Sequence, residues 1–341
     1  MSITEPSPFS PINCDFQPKM TGIKLIWGGA SIKDEGAFPT TEAITQFLDV
    51  LQARGVKSID TARIYPDSEE RLGNAHANSR FAVDSKYPGG FSPVPSTPES
   101  LVSTLKETLT LLQTDQLDIY YIHAPDRRSS LEDLLAALNT EYQAGKFRRF
   151  GLSNYLAEEV EEVIRISHEN NFVLPTVYQG NYSAIARRSE DEIFPTLRKH
   201  NIAFYAYSPI GGGFLTKDVE QFVSGGEGRW DANTPIGGLY HKLYNKPSML
   251  EGLRLWADIS KNSGIPKAEL AYRWAVHNSV LKGEFGDGLI FGSRNLEQLK
   301  QTLDGIDKGP LSVEIAAQID EVWKLVEADA PLDNLNSSSK S

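Results

Sequence analysis

Eight short apolar runs recur along the chain, seven of them followed by a longer amphipathic stretch, and no other feature restricts the possible folds as strongly. The runs fall at 23–27, 58–60, 81–86, 117–123, 149–152, 176–179, 203–207 and 289–291. Between them lie helical stretches at 43–53, 101–112, 131–144, 157–170, 190–199, 249–261 with 267–277, and 296–303; another, 313–326, lies beyond the eighth unit. Helix-start signals such as Thr40-Thr41-Glu42 and Ser96-Thr97-Pro98-Glu99 support the alternation. Strand and helix in turn argue for parallel strands joined by crossover helices.

Eight such units fit a closed (β/α)₈ barrel of about 250 residues plus insertions, and the chain has 341 residues. A doubly wound open sheet is the rival. No G-x-G-x-x-G follows the first run, and no Pro/Gly/Ser-rich linker divides the chain. The sequence therefore predicts an α/β protein, a (β/α)₈ TIM barrel forming one domain over 1–341. Its core spans about 20–328, with an extra C-terminal helix and loose tails at 2–18 and 332–341. The longest stretch without periodicity, 211–246, is Gly-rich and reads as a functional loop or a disordered one.

Composition narrows the function classes. With 40% hydrophobic and 23% charged residues the chain can bury a large core, and no run approaches the roughly 18 apolar residues of a spanning helix. The start, Met1-Ser2-Ile3-Thr4-Glu5-Pro6, lacks the basic and apolar regions of a signal peptide, so the cytoplasm is the expected compartment. The single cysteine, Cys14, agrees with a reducing environment and excludes a Cys-rich metal site. Thirty-four basic against 45 acidic residues leave a net charge of −11, which argues against nucleic acid or an anionic membrane as a partner. An anionic small ligand has to be held by a few local cations.

In a barrel of this kind chemistry sits at the C-terminal ends of the strands. The second run ends at Asp60, with Tyr65 in the loop beyond it; the third ends at Lys86, on the same face as Ala82; the fourth ends at His123, with Tyr121 and Ile119 on its face. Four titratable groups from three consecutive strands should converge. A tyrosine with an unperturbed pKa near 10 exchanges protons poorly at neutral pH, but an adjacent ammonium favours its phenolate. Lys86 supplies that charge, and a buried lysine needs a carboxylate such as Asp60 to stay protonated. With His123 to orient a carbonyl oxygen, the set suits a general acid that protonates a forming oxyanion. Taken singly, each residue reads equally well as a cap, a turn former or a packing group. Lys86 also suits a Schiff-base nucleophile, and His123 a metal ligand. The metal reading is weak: the other histidines, His76, His168, His200, His241 and His277, fall in helices or loops, and no H-x-H or H-E-x-x-H pair exists.

From about Ile23 to Val326 the chain resembles the aldo-keto reductase superfamily. The run Ile59-Asp60-Thr61-Ala62-Arg63-Ile64-Tyr65 with Ser68-Glu69-Glu70-Arg71-Leu72-Gly73 is similar to the family's D-T-A-x-x-Y…S-E-x-x-L-G signature. Lys86, the Asp118-Ile119-Tyr120-Tyr121-Ile122-His123 run, Gly145-Lys146, Gly151-Leu152-Ser153-Asn154 and Tyr207-Ser208-Pro209 follow in the family's order. Pro175-Thr176-Val177-Tyr178-Gln179-Gly180-Asn181-Tyr182 and Phe214-Leu215-Thr216-Lys217 look most like the aflatoxin-aldehyde reductase branch.

The resemblance implies an NADP-dependent reductase that transfers hydride from NADPH to an aldehyde or ketone. By position Tyr65 is then the general acid, Lys86 lowers its pKa, Asp60 pairs with Lys86, and His123 orients the carbonyl. Ser153, Asn154 and Gln179 would hold the nicotinamide carboxamide, and Tyr207 would stack on the ring. Ser208, Pro209, Ile210, Gly211, Gly213 and Lys217 would wrap the pyrophosphate, with Arg229 closing over it. Gly292, Arg294 and Gln298 would meet the adenosine end, where Arg294 suits a 2′-phosphate. Two departures stand out: the family's final Glu-Asn is here Gln301-Thr302, and Leu25-Ile26-Trp27-Gly28-Gly29-Ala30 lacks the usual glycine-methionine pattern.

Trp27, Tyr87, Tyr155, Tyr182, Arg187, Arg188 and Trp230 are the candidate pocket residues, and aromatic walls suit aryl or polyketide-like aldehydes. The alternative from another class is a cofactor-binding regulatory subunit of the potassium-channel β type, although no basic or amphipathic docking tail is present. A homodimer is the assembly that the branch resemblance implies, while no residue pattern marks an interface.

Overall fold

The computed structural model describes residues 22–32, 38–225 and 230–339; Cys14, Arg229 and the N-terminal tail lie outside the described residues. Eight strands, β1 (Lys24–Gly28), β2 (Ser58–Asp60), β3 (Ala82–Tyr87), β4 (Leu117–Ile122), β5 (Phe147–Ser153), β6 (Pro175–Asn181), β7 (Ala203–Tyr207) and β8 (Gly288–Phe291), form a closed barrel in sequence order. Every neighbouring pair is parallel, including the closing pair of β1 with β8. This is a (β/α)₈ TIM barrel.

The helices are α1 (Thr41–Ala53), α2 (Ser68–Asn74), α3 (Pro98–Leu111), α4 (Leu131–Gln143), α5 (Ala157–Asn170), α6 (Ser189–Glu192) and α7 (Phe194–Lys199). Between β7 and β8 come α8 (Val219–Val223), α9 (Pro235–Tyr244), α10 (Pro247–Ser263) and α11 (Lys267–Arg273), and after β8 come α12 (Leu296–Asp307), α13 (Val313–Val326) and α14 (Asn336–Ser339). Their starts follow the sequence. Thr40 accepts from the Ala43 N–H, Thr97 and Ser100 form a reciprocal box ahead of Pro98, and Asn295 accepts from the Gln298 N–H. On α1 the buried set Ile44, Phe47, Leu48 and Leu51 recurs at helical spacing, each side chain contributing about 1.5–3 kcal/mol by leaving water.

Alternation along the strands sorts side chains between two cores. Ile26, Ile119, Tyr121, Val177, Ala203, Tyr205 and Ile290 fill the barrel interior, and a larger cluster lies between barrel and helices. Tyr121 fits inside because its register partner is Gly151: a β-carbon there would stand 2.3 Å from the tyrosine ring. At the N-terminal end of the barrel the filling is polar. Arg149 donates to Asp118 at 2.5 Å, Lys24 donates to the Tyr205 hydroxyl at 3.2 Å, and the Asp84 carboxylate accepts from the Ile119 N–H.

Three sequence expectations change. The stretch 190–199 is two helices, because Ile193 leaves helical geometry (φ −121°) just ahead of Pro195. The unpatterned 211–246 segment holds a 3₁₀ turn at Gly211–Thr216 and helices α8 and α9, tied together by an aromatic cluster that periodicity cannot reveal. The C-terminal tail is not loose through its described part: Leu332 and Asp333 are buried, and Asn336 donates to the Asn154 carbonyl at 3.1 Å.

Candidate active site

The interior faces of β2 and β3 place Asp60 and Lys86 side by side near the C-terminal end of the barrel. Both are buried, and the ammonium donates to the two carboxylate oxygens at 2.7 Å each and to the Thr61 carbonyl at 2.7 Å. Burial opposes the charge on Lys86; the Asp60 carboxylate, the Tyr65 phenol and the hydrogen bonds outweigh it, and its pKa rises above that of free lysine. The lysine stays an ammonium. Tyr65 comes from the turn after β2 and is half-buried, with the Lys86 nitrogen 5.3 Å from its ring centre.

His123 follows β4, its ring at 82° to that of Tyr65 with centroids 5.9 Å apart. Burial, with the nearby Lys86 charge, pushes its pKa well below the usual histidine value, so the imidazole is neutral at neutral pH. Its Nδ1 is buried and has no partner among the described residues. Phe91, in a short 3₁₀ turn after β3, packs edge-on against the same imidazole at 5.1 Å. Sequence reading did not single out Phe91; the glycine pair before it, Gly89-Gly90, is the one signal of a chain turning back over the barrel mouth.

The next strand ends carry the amide-bearing residues. Gln179 donates to Asp60 at 2.8 Å, while Asn154, held at φ 60°, donates to the His123 carbonyl at 2.8 Å and to the Ser153 hydroxyl at 3.0 Å. Tyr207 donates to the Asn154 side-chain oxygen at 2.8 Å. Asp60, Tyr65, Lys86, His123, Ser153, Asn154, Gln179 and Tyr207 thus form one connected patch.

Beyond β7 the backbone winds tightly, with positive φ at Ser208, Gly211, Gly212 and Gly213. A β-carbon on Gly212 would meet the Tyr240 ring at 2.1 Å, so only glycine lies this close to α9. Trp230 donates to the Gly212 carbonyl at 3.1 Å, and the Lys217 ammonium sits 5.9 Å from its ring centre. After β8, Gly292 faces open space and Arg294 is exposed, with its N–H donated to the Gln298 side chain at 3.0 Å. Gln301 is likewise engaged, donating to Glu297 at 3.1 Å. Barrel closure through β1 brings this segment to the same end as the glycine turn.

The aromatic pocket candidates lie elsewhere. Trp27 is fully buried against Phe38 and Phe47 in the outer layer, and Tyr87, next to Lys86 and so on the opposite face, bonds Ser100 of α3 at 2.6 Å. Tyr182 is buried with its hydroxyl on Glu190 at 2.6 Å, and Tyr155 is buried behind β5. Trp230 supports the glycine turn from beneath. Arg187 stacks 4.3 Å from Trp274 and pairs with Asp320, and Arg188 pairs with Glu192. The strand pleat turns Trp27 and Tyr87 outward, and hydrogen bonds, ring stacking or ion pairs engage Tyr182, Trp230, Arg187 and Arg188.

The aldo/keto reductase family profile matches residues 24–324. The chain belongs to this family. Among its relatives, oxidoreductase sirO of Leptosphaeria maculans is 37% identical over 87% of this chain and 90% of its own length. Aflatoxin B1 aldehyde reductase member 4 of Homo sapiens is 35% identical over 86% and 91%. Aldo-keto reductase pigE of Monascus ruber is 29% identical over 91% and 95%. The branch suggested by the sequence motifs agrees with these relatives, and membership makes the protein an oxidoreductase of carbonyl chemistry. Among the described residues no helix is long and apolar enough to cross a membrane.

Proposed function

We propose that the protein reduces an aldehyde or ketone to the alcohol with NADPH, using Tyr65 as the general acid. The observation that carries this reading is the buried Lys86–Asp60 pair directly beside the Tyr65 ring. An ammonium held charged there favours developing phenolate, which is what a proton donor to an oxyanion needs. Bound NADPH supplies the hydride. The carbonyl carbon gains hydride, the π electrons move to oxygen, and that oxygen takes the Tyr65 proton; the phenolate recovers its proton from solvent. Neutral His123 donates a hydrogen bond to the same oxygen without competing as an acid.

The residues present fit the cofactor. Ser153, Asn154 and Gln179 cluster beside Tyr65 for the carboxamide, with Tyr207 against them. The positive-φ turn from Ser208 through Gly213 permits close backbone approach to a pyrophosphate, and Lys217 after β7 and exposed Arg294 after β8 supply positive charge for its phosphates in this reading. Arg294 at the adenosine end supports a preference for NADPH over NADH. An aromatic or polyketide-like aldehyde is the substrate class we favour, because Phe91 and exposed Ile64 give the mouth an apolar rim. The same reading treats 1–341 as one unit, cytoplasmic, acting on a small molecule, with a homodimer as the expected assembly.

The experiment is fluorescence titration with NADPH and with NADH, followed by absorbance assays of nicotinamide oxidation with an aromatic and a carboxylated aldehyde. Tyr65→Phe should lower turnover by about 10²–10⁴-fold while NADPH binding stays nearly unchanged. Unchanged turnover in that variant removes Tyr65 from its role.

A further inference from the structure

A cavity of about 200 Å³ lies outside the barrel, between the loop that follows β4 and the starts of α4 and α5. Ile122, Pro125, Leu131 and Leu134 supply apolar walls. A cavity of about 150 Å³ accepts a benzene ring, so this one holds a single ring with a short chain. Two polar features break the apolar lining, at different places.

The first is Tyr155, which lines the cavity and is 2% exposed, yet has no hydrogen-bond partner for its hydroxyl among the described residues. Glu159, Asp126 and Arg127, the charged groups near this phenol, line the same cavity. Burial holds the phenol protonated, so it offers a donor as well as an acceptor. A ligand hydroxyl would exchange the water open to this group for a hydrogen bond worth about 0.5–1.5 kcal/mol net. The second feature is the acidic part of the lining, Asp126, Glu158, Glu159 and Glu162, in which Glu159 pairs with Arg127 and Glu162 with Arg165. Arg127 is already committed to Glu159 and Asn336 at 2.7 Å each, and Asp126 to Ser96 and Arg128. Glu158 is exposed, with no ion pair among the described residues.

We propose that this cavity is a second small-molecule site, selective for a hydroxyaryl alkylamine whose phenol meets Tyr155, whose ring lies among the leucines and whose ammonium meets Glu158. Loss of the hydroxyl or of the charge each removes one of the two polar matches. The site does not depend on the carbonyl-reductase reading. It lies behind the barrel mouth, next to it through Ile122, Tyr155 and the Gly89–Phe91 turn, and linked to it by the Arg127–Asn336–Asn154 hydrogen bonds.

Calorimetric titration of the full chain with tyramine tests the assignment, with phenethylamine (no hydroxyl) and 4-ethylphenol (no amine) as comparisons. Tyramine should bind one to one and more tightly than either analogue, with NADPH failing to displace it. Glu158→Gln, at an exposed position that leaves folding intact, and Tyr155→Phe should each weaken tyramine binding by about two- to tenfold. The Glu158 change should leave 4-ethylphenol unaffected, and the Tyr155 change should leave phenethylamine unaffected. No binding of tyramine up to about 10 mM, binding that neither substitution alters, or displacement by NADPH overturns the proposal.

Discussion

Removing the charge of either Lys86 or Asp60 should destabilise the protein, and removing both should cost less than removing either one. At the observed 2.7 Å separation the gross attraction is about 6 kcal/mol at an effective dielectric of roughly 20. Desolvating two buried ions costs several kcal/mol each, so the pair is close to neutral as a unit. A partner left alone keeps its desolvation cost and loses the attraction, which comes to about 3–5 kcal/mol. Lys86→Met leaves the Asp60 carboxylate with only the Gln179 amide and strips the Thr61 carbonyl of its donor; Asp60→Asn leaves a buried ammonium facing a neutral group. The double variant Asp60→Asn/Lys86→Met retains neither charge. Urea unfolding followed by tryptophan fluorescence at pH 7 gives the three stabilities. If the single losses simply add in the double variant, the two side chains do not act as a buried pair and this account of why Lys86 stays charged is wrong.

Two further outcomes follow from the geometry. Gly212→Ala should weaken NADPH binding while sparing the barrel, since the new methyl meets the Tyr240 ring and the residue sits at φ 65°; an unchanged titration curve would show that the turn does not hold the cofactor. His123 has a folded-state pKa below its unfolded value, so the unfolded chain binds more protons and stability falls as pH drops from about 6.5 toward the folded pKa. Replacing His123 with Asn should flatten that acid-side slope by up to about 1.4 kcal/mol per pH unit, read from urea midpoints between pH 5 and 7. An identical slope would mean that the imidazole is not held neutral.

The barrel was legible because its cause is local. Alternation of apolar runs with amphipathic stretches requires only strand and helix periods, and each of the eight runs overlaps an observed strand. Asp60, Lys86 and His123 were legible for a related reason: parallel strands put their C-terminal ends at one rim. The misplaced aromatics show where such reasoning needs more care. Tyr87 directly follows Lys86 and Trp27 directly follows Ile26, so the pleat that carries one inward carries the other out. That signal was present in the strand pattern; aromatic character alone drew attention to the mouth.

Other features depend on contacts between distant segments. Phe91 reaches His123, the tail near Asn336 reaches Asn154, and Trp230 reaches beneath Gly212, and none of these pairs shares a local period. Period, caps and strand order act within a few residues, and the sequence by itself therefore determined the element order, the closed parallel barrel and the rim that gathers the polar groups. Which aromatic faces the mouth, where the tail docks and where a second cavity opens were decided by tertiary structure. Those outcomes rest on how side chains from separate elements share space and hydrogen bonds, and no single stretch of chain contains that information.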